Sequence, residues 1–546
     1  MAGPLKGESF GQVKPGVNIQ RSTFDLSHTH KFTRNSGELI PFFWEEVIAG
    51  DTFKVDTRFV ARMLTPVVPV RDNAFLDIFY FFVPARLAFS KYGIDDHTFQ
   101  KLFGQNDTTA WASDQEQKLP SFSADSVIPA GKFVPVGSYL GLPKYHKSSD
   151  NKDYLAMKGC SYAPLYAYQT IWNNFFRDEN LRNPVYESAS VVAISKPYKV
   201  CKLHDVFTSA LPAPQKGDSV ALFSSFVPVD CNSDEIHRTT DPLYLSSDST
   251  STNHGNRRFA IVNGEASEGN TPFTSSNDTY NTCIYNNAGV DLSFADVNYM
   301  RLAFADQRLK ERDARGGTRF NEVLAADYQV YANYAALNIP EYLCGSRTPI
   351  NLDTVLQTSA TTGTSALGDT GAFSNTSDSC KGFVKSFTEP GFVMGVCCVR
   401  TRQSYAQGVD KRWKHLYRDD FYNPVFANIG EQPIRKSELF VSGTAEDDKV
   451  FGYQEAWYEY RYHKNELSGF VDPAFGDKTL SKWTYYEPFK ASPVLNEDFI
   501  KQDPSNIGDT LVQTDTSTQF ICDFGVDEIV TRPMPVFSVP GLLDHN

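Results

Sequence analysis

The sequence predicts a mainly β fold, an antiparallel β-sandwich of the jelly-roll type with long loop insertions and a few helices. Strand patterns lie near both ends of the 546-residue chain, and helical and polar segments are inserted between them. Aromatic residues make up 14% of the chain, a content typical of β structure and of large interfaces. Double-sheet jelly rolls are one way in which such sheets manage their edges. The length alone would also allow three or four domains of roughly 150 residues.

The clearest strand is Phe53 to Met63, where apolar and polar side chains alternate with a period of two. Such alternation indicates a half-buried antiparallel strand. Ala74 to Val83 follows as a strand that is apolar on both faces, so we expect it in the centre of a sheet. Residues 104–160 are polar and are predicted to be loops. Tyr162 to Arg177 carries large apolar residues at spacings of three and four, which predicts a helix.

Residues 218–290 change in character, because Ser, Thr, Asn, Asp and Gly dominate and aromatic residues are threaded among them. A polar stretch of this length inside a compact chain is usually exposed or functional, so we predict a surface insertion. Helical spacing returns at Phe294 to Arg312 and is expected to stop at Gly316 and Gly317. A second helix is predicted over Arg319 to Val330.

The last third again shows strand patterns. Gly391 to Arg400 is predicted to be a core strand, and Phe451 to Lys464 an alternating strand with Tyr458, Tyr460 and Tyr462 on one face. Two short strands are expected at Phe520 to Phe524 and at Ile529 to Thr531. No internal repeat is evident, which argues against a solenoid or a propeller.

The first 36 residues form a predicted N-terminal arm. Their cations are five, against the two carboxylates Glu8 and Asp25, whereas the whole chain carries a net charge of −13. A basic segment on an acidic chain suggests a partner of its own, although an ordinary flexible terminus would have the same composition. The predicted arm contacts are Lys6, Lys14, Arg21, Lys31 and Arg34.

The net charge and the cysteines limit the possible functions. A chain at −13 cannot neutralise a nucleic-acid cargo alone, because phosphate binding needs cations, yet local basic patches are compatible with that charge. No apolar run reaches the roughly 18 residues of a membrane span, and no secretory signal is visible, so we expect no membrane insertion. Nine cysteines without a CxxC motif favour reduced thiols and assembly in a cytosol.

Motifs of catalysis and metal binding are missing from the sequence. It contains no Walker A, GxSxG, HExxH or EF-hand pattern, and we expect no catalytic residues, no cofactor and no metal. His28 and His30 lie on one predicted strand face, as a metal site could require, but an exposed or partner-facing pair is favoured. Cys397 and Cys398 should point to opposite faces of their strand and pack there.

One segment mixes cations with aromatic residues in the manner of a nucleic-acid site. Charge and stacking together are what single-stranded nucleic acid binds, while a solvated or subunit-facing loop is the alternative. The candidates for facing DNA are Arg400, Arg402, Lys411, Arg412, Trp413, Lys414 and Arg418. Arg301 to Arg319 is also rich in cations, but ion pairs on a helix surface explain it better.

Long motifs are distributed along most of the chain: FDLSHTHKFTRNSGE at 24–38, IWNNFFRDENL at 171–181, DVFTSALPAPQKG at 205–217 and LAFADQRLKERDARGGTRFN at 302–321. The strand pair through Phe89 and residues 405–426, 451–462 and 524–535 extend the match. These motifs resemble the major capsid proteins of microviruses, in particular the gokushovirus branch of small single-stranded DNA phages.

The resemblance implies a viral-capsid jelly roll of eight strands, formed by residues 37–217 and 291–546. It implies a virion shell of T=1 icosahedral type, built from pentamers around circular single-stranded DNA and assembled in the host bacterial cytoplasm. Residues 218–290 would build a protrusion at the threefold axes that contacts a host receptor. An internal scaffolding protein and a small basic DNA-binding packaging protein are the expected partners.

Two other classes of protein remain open on the residues alone. A carbohydrate-binding or carbohydrate-cleaving jelly roll would use exposed aromatic residues and, for cleavage, two carboxyl groups about 5–10 Å apart. A receptor-binding fibre would need elongated repeats, which are not evident in this sequence.

Overall fold

The computed structural model describes residues 20–88, 119–131, 133–218, 259–262, 265–268, 297–331, 333–358, 367–368, 370–472, 474–475, 478–512 and 518–537. The strands are β1 (Ser22–Asp25), β2 (His28–Arg34), β3 (Ile40–Val47), β4 (Thr52–Met63), β5 (Ala74–Pro84), β6 (Ser126–Val127), β7 (Lys144–Lys147), β8 (Lys152–Leu155), β9 (Phe259–Val262), β10 (Glu265–Glu268), β11 (Glu341–Pro349), β12 (Leu352–Leu356), β13 (Thr370–Ser374), β14 (Thr376–Ser386), β15 (Gly391–Thr401), β16 (Glu431–Arg435), β17 (Val450–Glu455) and β18 (Phe520–Arg532).

The helices are short apart from one. They are α1 (Val136–Tyr139), α2 (Ala163–Ile171), α3 (Ala189–Ile194), α4 (Val297–Arg315), α5 (Phe320–Tyr328), α6 (Tyr334–Leu337), α7 (Lys478–Ser481), α8 (Glu497–Ile500) and α9 (Ser505–Gly508), with a π-helical turn at Trp172–Phe176 directly after α2. None of the helices described has both the length and the apolar character that a membrane crossing requires.

Two antiparallel sheets form a sandwich, which confirms the predicted mainly β fold. One sheet has the order β1-β18-β4-β14, with β2 also paired to β18, and the other has the order β11-β5-β15-β3. β2 pairs with the first half of β18 and β1 with its end. Within the described ranges the two sheets therefore hold nine strands, because β1 and β2 pair with different parts of the same edge of β18.

The core between the sheets follows from the alternation in β4. Phe53, Val55 and Phe59 point inward and are buried, whereas Lys54 and Arg58 are exposed. The inward rings meet those of the opposite sheet, as in the edge-to-face contact of Phe42 and Phe524 with centroids 4.8 Å apart. Burying each such side chain contributes about 1.5–3 kcal/mol.

The second sheet is apolar on both faces because α2 and its π-turn cover its outer side. Trp172 and Tyr168 lie fully buried in this outer cluster. Cys397 packs in the core between the sheets and Cys398 in the outer cluster, and neither is exposed. The prediction that the two thiols face opposite sides of a core strand is confirmed, as are the central strand at 74–83 and the helix that begins near Tyr162.

The chain divides into two compact units, residues 1–216 with 310–546, and residues 217–309. Within the second unit the structure describes a hairpin of β9 and β10, in which Glu265 pairs with Val262, and the first part of α4. Most of the predicted insertion at 218–290 lies outside the described residues. Helix α4 ends at Arg315, and Gly317 follows with a φ of +97°, as predicted.

Four sequence-based boundaries need correction. Residues 22–34 of the predicted arm belong to the first sheet, and the polar region after residue 119 includes α1 and the small sheet β6-β8-β7. The strand predicted over 451–464 ends at Glu455, because Trp457 adopts a left-handed φ of 65° and turns the chain into a 3-10 helix at Tyr458–Tyr460. The two short strands predicted at 520–531 are one continuous strand, β18.

Candidate intersubunit and nucleic-acid interface

The segment that mixes cations and aromatic residues leaves the sandwich at the end of β15 and forms a surface loop. Its short 3-10 turns begin with local caps: the Asp410 carboxylate accepts from the Arg412 amide (2.9 Å), and the Asn423 side chain accepts from the Val425 amide (3.0 Å). Asp420 accepts from the amides of Leu416 (2.9 Å) and Tyr417 (2.8 Å). Such side-chain acceptors fix turns, so this loop, residues 410–430, has a defined conformation.

Arg400 is held inside the protein by a buried carboxylate. Its Nε donates to Asp77 on β5 (2.8 Å), and Arg347 on β11 donates to the other oxygen of Asp77 (2.6 Å). Asp77 is fully buried. The three side chains lie on adjacent strands of one sheet, and the arrangement neutralises a carboxylate that the sequence places in an apolar strand. Arg400 thus has a structural ion-pair partner.

Three more of the candidate cations also have partners within the chain. Lys411 Nζ donates to Glu459 (3.1 Å) and to Gln432 (2.9 Å), and Lys414 Nζ donates to Ser437 (2.6 Å). Arg412 donates twice to Asp410 at 2.9 Å, and this guanidinium lowers the pKa of Asp410 to about 2. Much of the positive charge that the sequence shows in this segment is therefore compensated locally.

The remaining candidates are more accessible. Arg402 is exposed with its guanidinium 5.5 Å from the centroid of the Phe75 ring, and Arg418 is exposed in its 3-10 turn. Trp413 has 82% of its surface exposed. Arg402 and Arg418 have no acidic partner among the residues that the structure describes, so they are the candidates best placed to meet a phosphate group.

The predicted arm contacts divide into three groups. Lys6 and Lys14 lie outside the described residues. Arg21 donates to the Gly50 carbonyl, and Lys31 is exposed with its Nζ 3.7 Å from Asp523.

The structure does not support the prediction that Arg34 contacts a partner. Arg34 is 2% exposed and donates to the Glu38 carbonyl (3.0 Å) and to Cys397 Sγ (3.1 Å). It lies on the inward face of β2, where the strand alternation places it, and is not available to a partner.

The two histidines on β2 each use Nδ1 to bond a backbone carbonyl. His28 donates to Leu26 (3.0 Å) and His30 to Phe42 (2.7 Å), and the His28 ring stacks on Phe43. Over the part of the chain that the structure describes, no group of three or more His, Cys, Asp or Glu side chains could hold a metal ion.

The second basic segment forms ion pairs, as expected. Arg312 pairs with Asp327 (2.8 Å), and Arg319 pairs with Glu179 (3.0 Å) and Glu322 (3.1 Å).

The structure also exposes an apolar surface along the 410–430 loop, which the sequence pattern did not predict. Its exposed side chains, together with two from the turn after β17, are Trp413, Leu416, Tyr417, Phe421, Tyr422, Val425, Phe426, Ile429, Tyr460 and Tyr462. The dense aromatic content of LYRDDFYNPVF was visible in the sequence, but its lack of strand or helix spacing gave no indication of exposure.

Comparison with known proteins gives consistent matches along the whole chain. The family described as capsid protein (F protein) matches residues 12–542. The capsid protein VP1 of Bdellovibrio phage phiMH2K is 33% identical over 98% of this chain and 97% of its own. The capsid proteins VP1 of Chlamydia phage 1 and Spiroplasma virus 4 are 31% and 29% identical, over 98% and 96% of this chain and 97% and 96% of their own.

The antiparallel sandwich and the near full-length matches define a structural protein of a virus shell, and nothing in them supports the carbohydrate alternative. The chain belongs to the phage capsid F protein family and is a major capsid protein. This confirms the resemblance to the gokushovirus-like microviruses. Such a protein associates with copies of itself into a shell and is part of the virion.

Proposed function

We propose that copies of this chain form pentamers and close into a T=1 icosahedral shell around circular single-stranded DNA, assembled in the bacterial cytoplasm with an internal scaffolding protein. The observation that carries the proposal is the capsid-family match over residues 12–542 on a chain that leaves many large apolar side chains of the 410–430 loop exposed. Exposed apolar patches larger than a few hundred Å² mark association sites.

The net charge of the chain indicates that another protein neutralises most of the charge of the packaged DNA. At a net −13, the shell cannot balance the genome's phosphates, so a small basic packaging protein supplies most of the cations. Arg402 and Arg418 contribute local contacts to the DNA. Residues 218–290 form the protrusion at the threefold axes that contacts the host receptor.

Assembly is tested by producing the chain alone and with the phage's internal scaffolding protein. The mass of the largest species is measured by sedimentation, and its shape by electron microscopy. Pentamers or closed shells are expected. A stable monomer that persists with the scaffolding protein present would contradict the proposal.

The DNA contact is tested separately with Arg402→Gln and Arg418→Gln in one chain. Nuclease-protected DNA per particle is expected to fall, while the yield of shells stays the same. Arg58→Gln is the matched control, because Arg58 is also an exposed arginine but pairs with Asp527 (3.0 Å). Unchanged DNA content in the double variant would remove these two residues from the DNA surface.

A further inference from the structure

The 410–430 loop and the turn after β17 expose ten large apolar side chains, which together we call the aromatic surface: Trp413, Leu416, Tyr417, Phe421, Tyr422, Val425, Phe426, Ile429, Tyr460 and Tyr462. Trp413 and Val425 are each 82% exposed, and Leu416 and Tyr417 are each 76% exposed. At about 150–250 Å² per aromatic side chain, the exposed area is on the order of 1,000 Å². The largest patch of an ordinary monomer is about 300–600 Å².

Part of the aromatic surface is held by contacts to buried side chains of the same chain. Beneath it, Trp457 is buried and donates its indole N–H to the Phe426 carbonyl (2.8 Å). Its ring contacts Tyr422 with centroids 5.7 Å apart, and His415 stacks on Tyr460 at 5.9 Å. The left-handed φ of 65° at Trp457 is a costly conformation for a bulky residue. Surrounding contacts must hold it, and these contacts fix the positions of Tyr422 and Phe426 at the surface.

The chemistry of this surface favours protein over nucleic acid. Leu416, Val425 and Ile429 have no ring on which a base could stack. Of the neighbouring cations, Lys411 and Arg412 are already paired with Glu459 and Asp410, and Lys414 donates to Ser437. Arg418 is the one cation of the described loop that is left to attract phosphate, so any DNA contact here rests on a single residue. Aromatic anchors with an apolar surround are the composition of protein interfaces.

Area and stoichiometry point to one partner. A stable interface buries about 800 Å² on each side, which the aromatic surface can supply by itself. In a closed shell the neighbour that every copy meets is another copy of the same chain.

We propose that the aromatic surface is an intersubunit contact, and that Trp413 and Val425 insert into the surface of a second copy of this chain in the shell. The inference rests on the shell-forming function proposed above. It assigns Trp413 to subunit packing, whereas the sequence pattern assigned it to DNA.

The test places a photo-crosslinking amino acid, p-benzoylphenylalanine, at position 413 and irradiates purified particles. A crosslinked dimer of the capsid chain is expected on a denaturing gel, and mass spectrometry should find both peptides in this chain. The matched control carries the same probe at Asp448, whose side chain is 78% exposed in an acidic turn. Position 413 should give at least about tenfold more dimer than position 448.

Other products would overturn the inference. Crosslinking of position 413 to DNA, to another polypeptide or within its own chain would each assign the surface to a different occupant, as would a dimer yield no higher than that of position 448. If the probe at 413 prevents assembly, the same measurement with the probe at Val425 decides. Because the probe is read in intact particles, its failure is distinct from a failure of the chain to form shells.

Discussion

Asp77 is a charged residue in an apolar strand, and ion pairs stabilise it there. It interrupts the apolar run of β5, and its side chain is fully buried. Two guanidinium groups from the neighbouring strands, Arg347 and Arg400, donate to its oxygens. A buried charge is tolerated when it is paired and hydrogen-bonded. The three residues therefore act together to hold β11, β5 and β15 in register.

Asp77→Asn removes the negative charge and leaves Arg400, which is mostly buried, without its counterion. The expected loss is about 3–5 kcal/mol of unfolding free energy, measured as a lower thermal midpoint of the unassembled chain. Asp353→Asn is the control, because Asp353 is exposed on β12. A midpoint for Asp77→Asn within experimental error of the control would contradict this role.

Glu528 is a second buried carboxyl group, and no arginine donates a hydrogen bond to it among the described residues. It occupies an inward position of β18 with its side chain 1% exposed, and neither carboxyl oxygen has a hydrogen-bond partner among the described residues. Burial and the charge of Glu45 raise its pKa from 4.5 to about 8, although Arg532 opposes the shift. His28 Nδ1 lies 3.9 Å from the Glu528 carboxyl group. Arg532 itself forms ion pairs with Glu45 (2.9 Å) and Asp51 (3.2 Å).

The raised pKa of Glu528 predicts a loss of stability with rising pH. Between about pH 4.5 and pH 8 the unfolded chain has lost this proton and the folded chain retains it, so each pH unit costs up to about 1.4 kcal/mol. Below pH 4.5 the contribution vanishes, and above pH 8 its full cost remains. Glu528→Gln should raise the thermal midpoint of the unassembled chain at pH 8 and change it little at pH 4.5.

The control for this titration is Asp523→Asn, an exposed carboxyl group on the same strand. It should leave the difference between the midpoints at pH 4.5 and pH 8 unchanged. An equal pH dependence in the wild-type chain and in Glu528→Gln would show that Glu528 titrates normally.

At the scale of elements, the pairing of β14 with β4 includes a β-bulge. Its register against β4 shifts between Cys380 and Phe383, and the amide of Gly382 donates to the Asp56 side chain (3.1 Å). A Cβ on Gly382 would lie 1.6 Å from the Val55 carbonyl oxygen, so only glycine allows this close approach of the two backbones.

Gly382→Ala should separate β14 from β4 and cost about 2–4 kcal/mol of unfolding free energy, measured by thermal or urea unfolding. Gly371→Ala on β13 is the matched control, because its new Cβ would meet its nearest atom at 3.9 Å. Equal stability of the two variants would mean that the bulge adjusts freely.

The elements also show what the sequence could and could not predict. The alternation of β4 was readable because each inward side chain is apolar. β18 appeared as two short strands because Glu528 stands at an inward position that an apolar residue would normally occupy. The strand after Phe451 ended early because Trp457 and Tyr458 pack against the 410–430 loop and Glu438, and such tertiary contacts override local alternation.

At the scale of the whole molecule, the fold class and the family were predictable, while the interface was not. The long motifs indicate the family, and the period-two patterns predict the strands of the sandwich. The candidate cations could not be judged from sequence, since their partners Asp77, Glu459 and Ser437 lie 23 to 323 residues away along the chain. Exposure of Val425 and Leu416 is likewise a property of the folded chain alone.

We propose that this sandwich is the repeating unit of a closed shell, and a cryo-electron microscopy reconstruction of the assembled particles would show whether it is. We expect icosahedral particles in which one copy of the chain repeats, with β2-β18-β4-β14 facing β3-β15-β5-β11 in every copy. Particles without icosahedral symmetry, or a shell built from a different arrangement of these strands, would contradict it.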